Sequence, residues 1–165
     1  MELAFPDRTA IIRRETARLC RVLGWAPLHE VPLPNGRRAD ILALRPNGSL
    51  ACIEIKSGLR DFLTDRKWPE YREFTDALYF AVDTEFPHEL VPEDTGLMIV
   101  DDRGADLIRD ARAHPLATAR RRSLIQRFAM LAACRLAALE DPAGFTLIPN
   151  SRMPRIAIRV KAAGR

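Results

Sequence analysis

The sequence predicts one α/β domain in which a mixed central β-sheet is flanked by helices. Three observations predict it: short apolar runs typical of strands, longer segments with helical periodicity, and Gly- or Pro-containing turns between them. The chain has 165 residues, 47% of them hydrophobic, which is enough to bury a core without disulfide bonds. No linker or internal repeat divides it. We therefore expect one domain over residues 1–149, followed by a basic tail or terminal strand over residues 150–165.

Three segments have the pattern of helices. Thr9 to Leu23 and Thr118 to Leu139 repeat apolar residues at helical spacing, and Gly24 ends the first of them. The apolar stripe of the first helix comprises Ile11, Ile12, Leu19, Val22 and Leu23. The stripe of the second comprises Leu124, Ile125, Phe128, Leu131, Ala132 and Leu139. A shorter helix is predicted over Asp65 to Thr75, with Pro69 near its start, where backbone N–H groups lack helical partners.

Six further segments have the composition of strands. They are His29 to Leu33, Ala39 to Leu44, Leu50 to Lys56, Ala77 to Val82, Leu97 to Asp101, and Ala105 to Ile108. Pro32 and Pro34 mark the first as an edge strand or a strand end. The continuous apolar run of the fourth is typical of a buried strand. Strands in this order, with helices before, between and after them, predict a mixed sheet.

The charge of the chain is unevenly distributed. Eleven basic and two acidic residues lie from Arg112 to the end, against fifteen basic and twenty acidic residues before it, and the net charge is +4. A basic segment beside an acidic body is typical of a protein that contacts a polyanion. The alternative is a solvated arginine-rich helix face and a loose tail, and charge alone does not distinguish the two.

Several classes of function have no support in the sequence. Cys20, Cys52 and Cys134 lack disulfide or zinc spacing, and the three histidines are scattered. Neither a zinc site nor a Ser/His/Asp triad is therefore indicated. The N-terminus lacks a signal-peptide pattern, and no apolar run approaches the roughly 18 residues of a membrane span. We expect a cytoplasmic protein with no membrane partner.

The turn Pro46-Asn47-Gly48 predicts the register of the hairpin that carries the charged residues. These residues suit a three-residue loop, with glycine at the left-handed position. Arg45 then faces Ser49, and Asp40 stands opposite Glu54. A two-residue Asn-Gly loop would shift the register and place the carboxylates on opposite faces.

Two carboxylates and one lysine are thereby gathered at one end of an apolar hairpin. Opposed residues on one face have Cβ atoms about 4.5–5.5 Å apart, so Asp40 and Glu54 repel each other unless a cation lies between them. Lys56, two residues beyond Glu54, points to the same face. The alternative is a strand-end cluster in which the carboxylates form salt bridges with Lys56 and Arg38.

Asp40, Glu54-Ile55-Lys56, the hairpin between them and the preceding helix resemble the core of the PD-(D/E)xK nucleases, a restriction-endonuclease-like fold. The resemblance implies that Asp40 and Glu54 bind Mg²⁺ or Mn²⁺ and that Lys56 assists the attacking water. Ala39 stands where the motif often has proline. Glu15 on the first helix is a candidate for the additional acidic ligand that some such nucleases place there, and a solvent-exposed glutamate is the alternative.

The segment from Ile53 to Val82 is similar to the MmcB family of bacterial DNA-repair proteins, which are linked to tolerance of DNA-crosslinking damage. Its motif DFxxDRKWPEY begins at Asp61. Within it, Lys67 and Tyr71 resemble the Gln-x-x-x-Tyr motif of related nucleases, with lysine in place of glutamine. Four residues apart, they would lie on one face of the predicted helix. The resemblance implies DNA as the partner, and homodimers are common in this fold class.

Arginines near the end of the hairpin are candidates for contacts with backbone phosphates, which make affinity salt-dependent but not base-specific. The substrate-binding candidates are Lys67, Tyr71, Arg37, Arg38, Arg66 and, on the long helix, Arg121. The basic tail could extend this track. Its candidates are Arg152, Arg155, Arg159 and Lys161.

These features together predict a metal-dependent DNA endonuclease that acts in repair, on damaged, crosslinked or branched DNA. A second hypothesis is a DNA-binding repair scaffold that keeps the nuclease fold without cleaving. A third is a structural interaction domain with its carboxylates in salt bridges. The intact set of Asp40, Glu54 and Lys56 favours the enzyme.

Overall fold

The structure is a computed structural model that describes residues 5–142, 146–147 and 156–157, with side chains described from Arg8 to Pro142. Its helices are α1 (Phe5–Val22), α2 (Leu59–Thr64) and α3 (Thr118–Glu140), with 3₁₀ helices at Trp68–Phe74 and His88–Leu90. Its strands are β1 (Ala26–Pro32), β2 (Arg38–Leu44), β3 (Leu50–Lys56), β4 (Ala77–Asp83), β5 (Gly96–Val100), β6 (Ala105–Arg109), β7 (Thr146–Leu147) and β8 (Ile156–Ala157). The predicted phosphate contacts of the basic tail lie outside the described residues.

The first six strands form one mixed sheet in the order β1-β2-β3-β4-β5-β6. The strands β1, β2 and β3 form an antiparallel meander, β3, β4 and β5 are parallel, and β6 is antiparallel to β5. This confirms the predicted α/β class and the edge position of the first strand. β7 and β8 form a separate antiparallel pair. None of the helices in the described part of the chain combines the length and apolar character needed to span a lipid bilayer.

The two faces of the hairpin pack against different layers, as the alternation of its residues predicts. Ile41, Ala43 and Ile53 lie in a core with apolar residues of α1. Leu42 and Cys52 lie in a second core with Leu124 and Phe128 of α3, on the opposite face of the sheet. Burial on both faces forces the charged residues of these strands to the end of the hairpin, where they need compensation.

The inner stripes of both long helices are shorter than predicted. Val22 is 83% exposed and Leu139 is 78% exposed, so neither belongs to the core. Both residues lie in the last turn of their helices, and the core does not cover them there. Helical periodicity assigns a face but not the length over which that face is covered.

The predicted helix over Asp65 to Thr75 is wrong. α2 ends at Thr64, three residues without helical structure follow, and Trp68–Phe74 is a 3₁₀ helix with Pro69 in its first turn. Proline disfavours the α conformation of the residue before it. A 3₁₀ helix turns every three residues, so the four-residue spacing of Lys67 and Tyr71 does not place them on one face.

Asp76 joins the start of three elements. This carboxylate, 2% exposed, precedes β4 and accepts hydrogen bonds from Leu50 N–H and Leu116 N–H, both at 2.8 Å. Arg121 of α3 pairs with it at the same place. The hydrogen bonds from Arg121 and the two N–H groups outweigh the effect of burial, so the pKa of Asp76 lies below its ordinary value. The network ties β3, β4 and α3 together at the amino ends of the parallel strands.

Gly96 begins β5 directly beside Tyr79, its partner in the sheet. A Cβ atom at position 96 would lie 2.0 Å from Cδ1 of Tyr79. The tyrosine is held in place by an edge contact with Trp25 and by hydrogen bonds with Arg45 and Asp110. We expect Gly96→Ala to lower the free energy of unfolding by about 2 kcal/mol through overpacking, as measured by urea denaturation. An unchanged denaturation midpoint would contradict this close approach.

Candidate functional site

The candidate site lies where β2 and β3 separate. Regular pairing of the two strands ends at Ile41 and Ile53. Beyond these two residues, backbone N–H groups donate to side-chain carboxylates and not to backbone carbonyls. Ile55 N–H donates to Asp40 Oδ2 at 2.9 Å, and Asp40 N–H donates to Glu54 Oε1 at 3.4 Å. The Arg45 N–H bond to the Ser49 carbonyl closes the predicted three-residue loop. Asp40 therefore stands across from Glu54 as the turn predicts, and we call these two residues the carboxylate pair.

The surroundings of the carboxylate pair make it unfavourable for both members to carry a negative charge. Glu54 is 4% exposed and Asp40 is half-buried. Burial, and then the negative charge of Asp40, raise the pKa of Glu54 well above its ordinary value. Burial also raises the pKa of Asp40, although the Ile55 N–H group and the charges of Lys56 and Arg38 act in the opposite direction. Protonation or a bound cation would relieve this repulsion.

Lys56 is buried beside the carboxylate pair and is held by two other carboxylates. Its Nζ lies 2.6 Å from Asp65 Oδ2 and 3.6 Å from Asp61 Oδ2. Burial alone would lower the pKa of Lys56, but the hydrogen bond to Asp65 and the charges of Asp61, Asp65 and Glu54 outweigh it and raise that pKa. The lysine is therefore a fixed cation at neutral pH. It can donate to a phosphate or a water but cannot act as a general base.

A thiol and a phenol line the same end of the hairpin. Cys52 Sγ lies 3.9 Å from Glu54 Oε1, and burial raises the pKa of that thiol, which therefore donates to the carboxylate. Tyr71 is buried, and its hydroxyl donates to the Arg38 carbonyl at 3.3 Å. Burial, and then the charge of Glu54, raise the pKa of Tyr71 above its ordinary value. The structure thus brings Tyr71 to the site as a neutral buried phenol.

The chemistry of the carboxylate pair fits a hard divalent cation. Mg²⁺ and Mn²⁺ prefer oxygen ligands and commonly bind through one or two carboxylates with water completing the shell. Each member of the pair uses one oxygen in the strand contacts above. Asp40 and Glu54 would hold the ion, and its positive charge would offset the burial of both carboxylates and the effect of the Asp40 charge on Glu54, which raise the two pKa values.

Glu15 does not complete a set of three ligands in this structure. Its carboxylate is 8% exposed and accepts from Arg14 Nε at 2.8 Å and from Arg18 Nη1 at 2.7 Å. The hydrogen bond from Arg14 is the main reason that the pKa of Glu15 is lowered. In the part of the chain that the structure describes, no three Asp, Glu, His or Cys side chains are grouped to hold a metal ion. A site built by Asp40 and Glu54 would therefore rely on water for its other ligands.

The predicted phosphate contacts fall into two groups. Arg66, Lys67 and Arg38 are exposed, and the side chain of Arg38 lies 3.8 Å from Glu30 Oε2. Arg37 is instead paired with Glu70, through contacts of 2.8 and 2.9 Å. Exposed arginines and lysines at this end of the hairpin can meet a polyanion, whereas Arg37 already has a bidentate partner.

Arg121, predicted to contact phosphate, is paired with a carboxylate far from the carboxylate pair. It pairs with Asp76 at the amino end of β3, whereas Lys56 is the last residue of that strand. Leu50 donates its N–H to Asp76. It lies six residues before Lys56, which is about 20 Å along the strand. Arg121 therefore stabilises the opposite end of the sheet from the carboxylate pair.

Glu30 is not singled out by the sequence, yet it lies on the edge strand β1 next to Asp40 of β2. The β1–β2 pairs His29–Ile41 and Val31–Ala39 lie on either side of Glu30 and Asp40. Glu30 has a positive φ of 48°, which is uncommon outside glycine. No sequence pattern marks a non-glycine residue for this conformation, so only the structure places Glu30 next to Asp40 in the sheet, with its carboxylate turned to Arg13 and Arg38.

The fold and the site define a mixed α/β protein with an oxygen-donor pair and a buried lysine at the end of a central hairpin. The family model described as DNA repair protein MmcB-like matches residues 2–143, and the chain belongs to this family. A solved structure, the SPO1766 protein of unknown function from Silicibacter pomeroyi, is 42% identical with a TM-score of 0.78. The match covers 90% of this chain and 99% of that one. A search of curated proteins gave no significant match.

Proposed function

We propose that the protein is a Mg²⁺- or Mn²⁺-dependent deoxyribonuclease that hydrolyses phosphodiester bonds during DNA repair. The observation that carries the proposal is the carboxylate pair, two facing acidic side chains with raised pKa values at the point where β2 and β3 separate. Membership of the MmcB-like family supports a role in DNA repair. The SPO1766 protein is described as of unknown function, so the proposed chemistry depends on the residues of the site.

The proposed division of roles follows from the geometry. Asp40 and Glu54 hold the divalent ion, which when bound supplies charge neutralisation at the phosphate and a water of lowered pKa. Lys56, kept cationic and in place by Asp65 at 2.6 Å, stabilises negative charge on the reacting phosphate. Asp65 in turn is a positioning residue, because its second oxygen accepts from Lys67 N–H at 2.7 Å and so fixes the chain after α2.

A second function has a specific observation in its favour. The ammonium of Lys56 is already paired with two carboxylates, and the pair itself offers only two protein side chains as ligands within the described part of the chain. Such a site would suit a non-cleaving protein that keeps the fold and binds DNA as a repair scaffold. The two functions differ in one property, which is metal-dependent cleavage.

A substrate panel tests the nuclease proposal. The wild-type chain is expected to cut at least one of single-stranded, nicked, flapped or branched DNA with Mg²⁺ or Mn²⁺. Asp40→Asn is expected to lower that rate at least about 100-fold, because it removes the negative charge of one metal ligand and so weakens the electrostatic stabilisation of the transition state. Asp102→Asn, an exposed carboxylate in the β5–β6 turn, is the matched control and should retain activity.

The same panel separates the two functions. Binding of DNA without cleavage of any substrate, in either metal, would contradict the nuclease proposal and favour the scaffold. Equal cleavage by wild type and Asp40→Asn would show that the activity does not come from this site.

A further inference from the structure

We infer that a groove on the β1 side of the molecule binds the sugar–phosphate backbone of DNA next to the carboxylate pair. The groove has a volume of about 620 Å³ and lies between α1, β1 and α3. Its charged lining residues are Arg13, Arg14, Arg18, Arg21, Arg135 and Glu30, and we call it the arginine groove. The inference rests on the proposed function for its choice of DNA as the ligand. None of the arginines that line the groove is among the phosphate contacts predicted from the sequence.

The arginine groove carries a strong excess of positive charge. Five arginines line it, and the carboxylates that pair with them are Glu30 in the lining and Glu15, which leaves an excess of three positive charges. The side chains of Arg13, Arg14 and Arg18 are 44%, 59% and 63% exposed, so their guanidinium groups are accessible to a ligand. A concave surface lined by one sign of charge concentrates ions of the opposite sign. The favoured ligand is therefore an anion.

Two of the arginines of α1 are held in position before any ligand arrives. Arg14 and Arg18 both donate to the buried carboxylate of Glu15, at 2.8 and 2.7 Å. Residues 14, 18 and 21 are spaced by four and three and so lie on one face of the helix. Ala17 lies in the same lining, and its short side chain leaves room between the arginines. Fixed guanidinium groups lose less conformational entropy on binding than free ones.

The opposite wall of the groove is fastened to the edge strand. Arg135 of α3 donates to the carbonyls of His29 and Glu30, the latter at 3.0 Å. The carboxylate of Glu30 in turn lies 3.5 Å from Arg13 and 3.8 Å from Arg38. These interactions join α1, β1, β2 and α3 around one cavity, so its shape is defined by the fold and not by loose side chains.

The position and length of the groove favour a polymer over a single phosphate ion. Glu30, which lines the groove, stands beside Asp40 in the sheet register. Arg13 and Arg21 are eight helical residues apart, which is about 12 Å along the axis. A DNA strand lying in the groove would meet several phosphates and continue toward the carboxylate pair. Its affinity would depend on salt because phosphate neutralisation releases counterions.

Fluorescence anisotropy with a labelled DNA duplex and a single strand, in EDTA, tests the groove without cleavage. The double variant Arg13→Gln, Arg21→Gln is expected to weaken binding about tenfold and to reduce the salt slope by about 1 for each phosphate that the variant no longer neutralises. The matched control is Arg103→Gln, Arg112→Gln. It removes the same charge on the β6 side of the sheet, about 24 Å from β1, and should bind like wild type.

A charge-retaining variant distinguishes the loss of positive charge from a loss of folded structure. Arg13→Lys, Arg21→Lys is expected to keep most of the salt slope, and circular dichroism checks the fold of all three variants. Equal weakening by the groove and control variants, or no DNA binding by wild type at low salt, would overturn the inference. Tighter groove-dependent binding of RNA or polyglutamate than of DNA would overturn the assigned ligand. Groove-dependent binding by a chain that cuts no DNA would refute the nuclease proposal alone.

Discussion

Replacing Glu54 by glutamine is expected to stabilise the metal-free protein at pH 8, although the change removes a buried, hydrogen-bonded residue. Folding raises the pKa of Glu54 through burial and the charge of Asp40, so ionising this group costs free energy only in the folded state. Each unit of raised pKa corresponds to about 1.4 kcal/mol at high pH, and we expect a gain on the order of 2 kcal/mol. Glutamine keeps the size of the side chain without the charge.

The same argument predicts the pH dependence. A raised folded-state pKa means that the folded protein binds the proton more tightly than the unfolded chain, so the stabilising contribution is complete below the ordinary pKa of 4.5. It disappears as the pH rises through the folded-state pKa. Urea denaturation in EDTA should therefore show wild-type stability falling from pH 5 to pH 8, with a smaller fall in Glu54→Gln. Asp102→Asn controls for net charge, and a Glu54→Gln chain that is less stable than wild type at pH 8 would contradict the account.

Asp76→Asn is expected to cost about 3 kcal/mol, the largest destabilisation that we expect from a change outside the carboxylate pair. Asp76 Oδ2 accepts from Leu50 N–H and Oδ1 accepts from Leu116 N–H, while Arg121 supplies the balancing charge. An asparagine offers one acceptor oxygen in place of two. One buried backbone N–H would lose its partner, and the arginine would lose its countercharge.

Denaturant unfolding at pH 7 measures this destabilisation. Asp101→Asn is the control for removing a charge from an aspartate that caps backbone N–H groups, because Asp101 accepts from two of them, at 2.7 and 2.9 Å, in an exposed turn. Both N–H groups donate to the same oxygen, Oδ1, which an asparagine keeps, so that change should cost less than about 1 kcal/mol. Since the pKa of Asp76 is lowered on folding, its contribution should disappear as the pH falls through that pKa. Equal destabilisation of the two variants would show that burial of the network has no effect.

The hairpin was predictable from sequence because its register is set locally. Pro46-Asn47-Gly48 specifies a loop type, and the loop fixes which residues face each other for the rest of both strands. The structure has that loop, with φ of 79° at Gly48 and regular pairing from Leu44 and Leu50 to Ile41 and Ile53. Placement of Asp40 across from Glu54 required no tertiary information.

The segment after β3 was not predictable in the same way. Its charged residues and Tyr71 are compatible with a helix, but tertiary contacts determine the conformation of the backbone after Thr64. Asp65 turns toward Lys56, and Tyr71 is drawn into the core beneath the hairpin. Local propensity is a weak guide where buried groups need partners. The spacing of Lys67 and Tyr71 predicts a shared face only on an α-helix, and no α-helix forms there.

The arginine groove and the Asp76 network depend on residues that are far apart in the chain. Arg18 and Arg21 of the groove belong to α1, whereas Arg135 belongs to α3. Only the packing of both helices around β1 brings them together. The uneven charge of the sequence instead indicates a polyanion contact in the C-terminal third, where Arg121 is paired with Asp76.

The central claim is that Asp40 and Glu54 jointly bind a divalent cation, and calorimetric titration of Mn²⁺ into the full chain at pH 7.5 tests it most directly. The account predicts saturable binding by wild type, release of protons on binding because the pKa values of both carboxyls are raised in the free protein, and abolished binding in Asp40→Asn and Glu54→Gln. Asp102→Asn should bind Mn²⁺ like wild type. Unchanged Mn²⁺ binding in the Asp40→Asn and Glu54→Gln variants, or none in wild type, would contradict it.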